Sequence, residues 1–449
     1  MAYTDFIAAI DLGTSHMVGM VGTKNATGAL SIIAYEVENS GTCIRRGCVY
    51  NVKETASKIR RLILKLENKL GGAKIGQVYV GLGGQSLRSI EHTVCKVLGT
   101  EGVVTEEIID SLYQECKDYR PDMLTVLDVV SPSYFLDDKP ESNPVGVPCS
   151  RIEARYKLIV GRPSLKLNII NSISEQAKIE IAGILVSPLA LGDVVLSDNE
   201  KDLGCALIGF GAGVTTITVY KGGKLASLSC SLWRYLITKD ITNLRVVESE
   251  AERLKITYGS AKADRDNDMT IQVSLADGMG LREIKLAELN GVIEARMDEI
   301  LENVYARLEA TGLMSVLGAG IVITGGGAAL KNLPAVMSER LKMEVRYSAV
   351  RKGIVASGDL VVASNPEYAV AVGLLAKGTK NCALYIPPKP EPKIEPVVEP
   401  EPTVEPTPEP VKEKPKKEKK KGPGLFGRLT KGIDTFGKTL FDDDDNESK

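Results

Sequence analysis

Histidine is nearly absent from this chain: 449 residues carry two, His16 and His92. Eight cysteines are scattered, Cys43, Cys48, Cys95, Cys116, Cys149, Cys205, Cys230 and Cys382, and no two form a CxxC pair. A zinc site needs four ligands at short spacings, so none is expected, and the cysteines read as reduced thiols of a cytosolic protein. No run of eighteen apolar residues occurs, which excludes a membrane-spanning helix. The N-terminus has neither a basic stretch nor a cleavage site, so no secretory signal is expected. Net charge is -2, which gives the whole molecule no strong field for nucleic acid.

What is present is a soluble globular composition, 43% hydrophobic and 25% charged, in a chain too long for one core. Three textures follow one another. Residues 1 to about 387 are globular. Residues 388–410 read "PKPEPKIEPVVEPEPTVEPTPEP", an extended linker too poor in large apolar groups to pack. A lysine run, an apolar-periodic piece and an acidic end complete the chain.

Two openings inside the globular zone are alike. "IAAIDLGTSHMVGMVG" (Ile7–Gly22) and "CALIGFGAGVTTITVYKGGKLASLSC" (Cys205–Cys230) each give an apolar strand, a glycine corner and a β-branched strand. Their recurrence predicts a duplicated domain with a cleft between the copies. Amphipathic helices are expected over Thr55–Leu70 and Ala287–Leu308. "AGIVITGGGAALKNLP" (Ala319–Pro334) predicts a buried strand, a glycine turn and a helix that the three glycines open. A block from Ser86 to about Val160, with its own helix in "TEEIIDSLYQECKDY", reads as an insertion into the first copy.

Glycine corners between strands can aim backbone N–H groups at phosphate, because glycine permits close approach and positive φ. An aspartate at a strand end can order water around Mg²⁺, which takes one or two carboxylates plus phosphate oxygens. Asp11, Gly13 and Thr14 therefore form a candidate phosphate and metal corner. Gly325, Gly326 and Gly327 would let a ring or ribose lie against backbone, with a helix N-terminus favouring anionic groups.

The order of hairpin, insertion, second glycine hairpin, "EAERLK", "VITGGGAAL" and "EYAVAVGLL" resembles the superfamily of actin, sugar kinases and DnaK-type chaperones. The insertion, "NPVG" (Asn143–Gly146), "YKGGKL", the proline-rich linker and an amphipathic C-terminal piece narrow the resemblance to the bacterial cell-division family FtsA. The resemblance implies an α/β, two-lobed actin-like fold of duplicated ribonuclease H-like domains. Its parts are the first lobe in 1–85 and 162–203, an inserted subdomain in 86–161, the second lobe in 204–386, a linker in 387–422 and a terminal helix with acidic tail in 423–449. It implies ATP and Mg²⁺ in the cleft, held by Asp11, Gly13, Thr14, Ser15 and His16, by Gly211, Ala212 and Gly213, by Glu252 and Lys255, and by Gly325, Gly326 and Gly327, with Asp11 as the metal position. Partners implied are the C-terminal peptide of the tubulin-like division protein FtsZ, met by Arg282 and Arg296, further copies of the chain itself, other division proteins, and anionic lipids.

Several positions depart from the family pattern. His16 stands where lysine is common, Ala212 replaces a glycine, and Val214 replaces a threonine. Gly209 occupies the place of an acidic residue before the second corner, and Thr216 that of a later one. Phosphoryl transfer depends on positioning and charge neutralisation, so the expectation is ATP binding with slow or absent hydrolysis and no catalytic residue.

As a helix, Leu425, Phe426, Leu429, Ile433, Phe436 and Leu440 would fall within an arc of roughly 100°, with Phe441 ending the run. "KPKKEKKK" (Lys414–Lys421) adds attraction to an anionic leaflet, and two weak signals together anchor a chain. The expected location is the cytoplasmic face of the inner membrane at the septum. The lysine run lacks interleaved aromatics, so nucleic acid is not an expected partner. The alternatives are another actin-like membrane adaptor, of pilus assembly or rod shape, or a small-molecule kinase of the same superfamily. A kinase needs a carboxylate base near its acceptor hydroxyl, and no residue presents itself for that role.

Overall fold

A computed structural model describes residues 5–99, 102–231, 235–274, 280–356, 362 and 365–384. The linker and the C-terminal segment, including Leu425, Phe426, Leu429, Ile433, Phe436, Leu440 and Phe441, lie outside the described residues.

Ile7–Leu12 is almost continuously buried, as a strand covered on both faces should be. It pairs antiparallel with His16–Lys24, which pairs antiparallel with Leu30–Asn39. On its other side it runs parallel to Gln77–Leu82, and that strand runs parallel to Glu180–Val186. Cys205–Phe210 repeats the arrangement. It is antiparallel to Thr215–Lys221, which is antiparallel to Lys224–Ser231. It is parallel to Ile321–Thr324, which is parallel to Val345–Tyr347. Two five-stranded sheets thus share one strand order and one set of directions, so the duplication extends from hairpin to whole sheet.

Helices cover the sheets where apolar spacing allows. Val52–Lys69 buries Ile59, Leu62, Ile63 and Leu66, and Asn51 caps it by accepting from the Glu54 amide. Leu286–Glu309 buries Ile293, Met297, Ile300, Leu301 and Val304 on the second sheet's outer side. In the second sheet, Ala206, Ile208 and Phe210 face this core, while Leu207 faces the core shared with the first sheet. That alternation is the period of two along a strand.

Residues 88–161 contain a four-stranded antiparallel sheet of Arg88–Val97, Arg151–Gly161, Thr125–Leu136 and Lys139–Glu141. Helix Glu106–Asp118 packs on it over a separate core that includes Leu112, Cys116, Tyr156 and Leu158. This sheet touches the second lobe. The Leu228 amide donates to Ser89 Oγ at 2.8 Å, and Lys224 Nζ donates to the Pro132 carbonyl at 2.6 Å.

The connection between the lobes is pinned by one carboxylate. Glu200 accepts from the Ser197 amide and hydroxyl at 2.8 and 2.9 Å, which closes the N-terminus of helix Asp198–Leu203. Its other oxygen accepts from Arg346 Nε and Nη2 at 2.8 and 2.5 Å, on the edge strand of the second sheet.

One expected element differs. The three glycines after Ile321–Thr324 do not open an α-helix. Gly326–Ala329 is a single 3₁₀ turn, and the α-helix spans Leu333–Leu341. Pro334 supplies the reason: its fixed φ suits a helix's first turn and sets the start beyond the glycines.

Candidate functional site

The three glycine corners meet. Each ends a central strand of one of the two sheets, and together they line a cavity of about 730 Å³ between the lobes. Asp11, Gly13, Thr14, Ser15 and His16 contribute from the first hairpin, and Gly211, Ala212 and Gly213 from the second. Glu252 and Lys255 contribute from helix Glu248–Tyr258, and Gly325, Gly326 and Gly327 from the third corner. A smaller depression of about 420 Å³, lined by Met314, Leu317, Lys342 and Glu344 among others, includes none of these residues.

Glycine is required at these corners by backbone closure. A Cβ on Gly13 would collide with the His16 carbonyl oxygen, and one on Gly211 would lie 2.7 Å from the Val214 carbonyl oxygen. The two hairpins therefore turn in the same way. Gly325 adopts φ of 84°, and its Cβ would lie 2.6 Å from the Phe210 carbonyl oxygen. The hairpins also touch. A Cβ on Gly213 would stand 2.8 Å from Thr14 Oγ1, and that hydroxyl accepts from the Gly47 amide at 2.9 Å. Ser40 fixes the first corner, donating to the Gly13 carbonyl at 2.7 Å while its amide donates to the Ser15 carbonyl at 3.0 Å.

Burial pushes the Asp11 carboxyl up to about 6, a hydrogen bond from the Leu12 amide opposing in part. A carboxylate that is costly to ionise in isolation has most to gain from a cation beside it. Among the described residues no group of three His, Cys, Asp or Glu side chains could hold a metal by itself. Any cation at Asp11 would need its remaining ligands from water or from a bound anion. Opposite, Glu252 accepts from Thr238 Oγ1 and Lys255 Nζ, each at 2.5 Å, and Lys255 Nζ lies 3.0 Å from Thr238 Oγ1. His16 Nδ1 lies 2.9 Å from Ser15 Oγ.

The remaining wall is apolar, with Phe210, Ile237, Ile256, Met297, Ile300 and Leu330 on the second-lobe side. One end of the cavity thus suits an anion and the other a flat apolar group. Sequence reasoning missed this wall, and it missed Gly83 and Gly84 after the Gln77–Leu82 strand. The run "GLGG" (Gly81–Gly84) was the available signal for the latter.

Arg282 and Arg296 do not face the cavity. Arg296 makes a two-point ion pair with Asp240, Nε–Oδ2 at 2.5 Å and Nη2–Oδ1 at 3.1 Å, and a further pair with Glu299. Arg282 Nη1 donates to the Leu244 carbonyl at 3.2 Å. Both arginines therefore brace helix Tyr235–Thr242 and the turn after it.

Comparison with known proteins gives consistent findings. Residues 206–373 match the family model described as cell division protein FtsA. The chain is 38% identical over 382 residues to the cell division protein FtsA of Porphyromonas gingivalis, spanning 84% of this chain and 79% of that one. It is 31% identical over 392 residues to the FtsA of Bacillus subtilis, spanning 86% of each. Among solved structures, a chain of the PilM–PilN type IV pilus biogenesis complex superposes with a TM-score of 0.57 at 14% identity, covering 82% of this chain and 97% of that one. At that identity the likeness speaks for the fold alone, which is the two-lobed actin-like one.

Proposed function

We propose a function for this chain from one premise: it belongs to the FtsA family of cell-division proteins. It works in cell division as an actin-like, ATP-binding adaptor that tethers FtsZ filaments to the cytoplasmic membrane. The observation that carries the nucleotide part is the convergence of three glycine corners and Asp11, drawn from both lobes, on one cavity with an apolar far wall.

The residues present fit a nucleotide with a divalent cation. Backbone amides of the corners at Gly13–His16 and Gly211–Gly213 would hold the phosphates, and Asp11 would hold the cation through water. The 3₁₀ turn at Gly326–Ala329 and the Glu252–Lys255 pair would hold the nucleoside, against the apolar wall. A bound nucleotide would supply the negative charge that the corners of both lobes are placed to hold. Hydrolysis is slow, because neither Gly209 nor Thr216 carries a carboxylate to position water.

The membrane part rests on the amphipathic pattern of Leu425–Phe441 and the lysine run before it. The partner part rests on family membership. The surface around Arg296 and Arg282 is the site we assign to the acidic FtsZ peptide, with Arg296 exchanging Asp240 for a peptide carboxylate. Copies of the chain associate into filaments, which multiplies these weak contacts.

Co-sedimentation with anionic liposomes tests the tether as a whole. Full-length protein should carry purified FtsZ into the pellet, and a chain ending at Lys421 should leave both in the supernatant. Equal recruitment by the shortened chain would remove the membrane part of the proposal.

A further inference from the structure

The two lobes present their equivalent strands to the cavity differently. Asp11 is the fifth residue of Ile7–Leu12, and Gly209 is the fifth of Cys205–Phe210. The first lobe thus offers a carboxylate where the second offers no side chain at all. Register shows what surrounds that gap. Gly209 lies directly opposite Thr216 on one neighbouring strand and opposite Thr324 on the other. Residues paired in register point to the same face of a sheet. Thr216, Gly209 and Thr324 therefore form a row across three strands, and all three line the cavity.

Two observations give the row a use. A Cβ on Gly209 would lie 2.6 Å from Thr216 Oγ1 and 3.7 Å from Thr324 Cγ2, so the Thr216 hydroxyl leans over the glycine into the space a side chain there would need. Thr324 turns its methyl toward the glycine, and its Oγ1 is buried away from the cavity surface. The row therefore offers the space over Gly209 one hydroxyl, that of Thr216, beside a methyl.

We propose that Thr216 is a positioning residue for the ligand's anionic end, its hydroxyl donating to a phosphate oxygen over the bare Gly209, so that the second lobe holds phosphate without a divalent cation. This rests on the nucleotide reading of the cavity. A carboxylate in this row would repel phosphate and need a cation to bridge them, whereas a neutral donor attracts it directly. Cation chemistry then belongs to the Asp11 side alone. Gly209 and Thr216 act as a unit: the glycine makes room for the hydroxyl, and the hydroxyl occupies the room.

Equilibrium dialysis of the full-length protein against labelled ATP, with Mg²⁺ and with excess EDTA, tests the assignment. Wild type should keep its affinity in EDTA to within about tenfold. Thr216→Val, which keeps shape and loses the hydroxyl, should weaken binding about fivefold in EDTA, the loss of one net hydrogen bond. Thr216→Ser should restore it. Melting of the ligand-free protein supplies a reading independent of nucleotide. Gly209→Ala should lower the melting temperature, and Thr216→Ala should relieve most of that loss in the double variant. Wild-type affinity in Thr216→Val, or strictly additive melting effects, would overturn the assignment while leaving the nucleotide reading intact. Wild type that binds with Mg²⁺ and not in EDTA would overturn the cation-free part. Wild type that binds no ATP under either condition would overturn the nucleotide reading itself, and the assignment with it.

Discussion

Asp11→Asn should make the ligand-free protein more stable and the ligand-bound protein less so. The Asp11 carboxyl titrates at about 6 in the folded chain against an ordinary 3.8, because burial penalises its charge. A difference of that size is worth about 3 kcal/mol. Asp11 keeps some exposure to the cavity, whose water reduces the penalty, so about 2 kcal/mol is the working figure. The pH window follows from the direction. Between pH 3.8 and about 6 the folded protein binds the proton more readily than the unfolded chain, so wild-type stability falls as pH rises through that range and stays lower above it. Asparagine has no such penalty. The advantage of Asp11→Asn should be near zero below pH 3.8, grow up to pH 6, and hold above it. Differential scanning fluorimetry across pH should show a gain of about 3 °C at pH 7.5. Addition of Mg²⁺ and ATP should reverse the order, since only the wild type offers a carboxylate to the cation. A variant that melts at or below wild type at pH 7.5 without ligand would refute the reasoning.

Glu200→Ala removes both a helix cap and the two-point pair with Arg346, and should cost about 2 kcal/mol by thermal or urea unfolding. Burial raises the Glu200 pKa, but hydrogen bonds from Ser197 and Arg346 outweigh it and hold the value below the ordinary 4.5. Its contribution is therefore present at neutral pH and lost in acid, as pH falls from 4.5 through the folded value; the variant should converge on wild type there. Arg296→Glu leaves Asp240 and Glu299 facing a third carboxylate and should lose about 3 kcal/mol, much of it recovered in Arg296→Glu with Asp240→Arg. In the same double variant an acidic FtsZ peptide should bind more weakly, read by fluorescence anisotropy; unchanged affinity would move the peptide site elsewhere.

Much of the fold was legible because its signals are local. Alternating β-branched strands around a glycine corner appear twice, and a hairpin needs only a few consecutive residues to announce itself. The glycines and Asp11 could be named for the same reason. The third corner was misread because a strand followed by glycines and an apolar run suggests a helix at once, while Pro334 sets the true start. The apolar wall was not legible at all. Met297 and Ile300 sit on a helix whose buried face reads as core, and nothing in the spacing marks the two that turn to the cavity. The pairing of Arg296 with Asp240 was not legible because Asp240 is 56 residues away in the chain. The row of Thr216, Gly209 and Thr324 needs the register of three strands, two of them more than a hundred residues apart in sequence.

The central claim is that this cleft binds ATP and holds it. Labelled-ATP binding and phosphate release, measured together on the full-length protein with Mg²⁺, FtsZ and anionic liposomes present, tests it most directly. The account predicts one ATP per chain at saturation, with phosphate release far below about 1 s⁻¹. Absence of binding, or release at the rate of an ordinary ATPase, would contradict it.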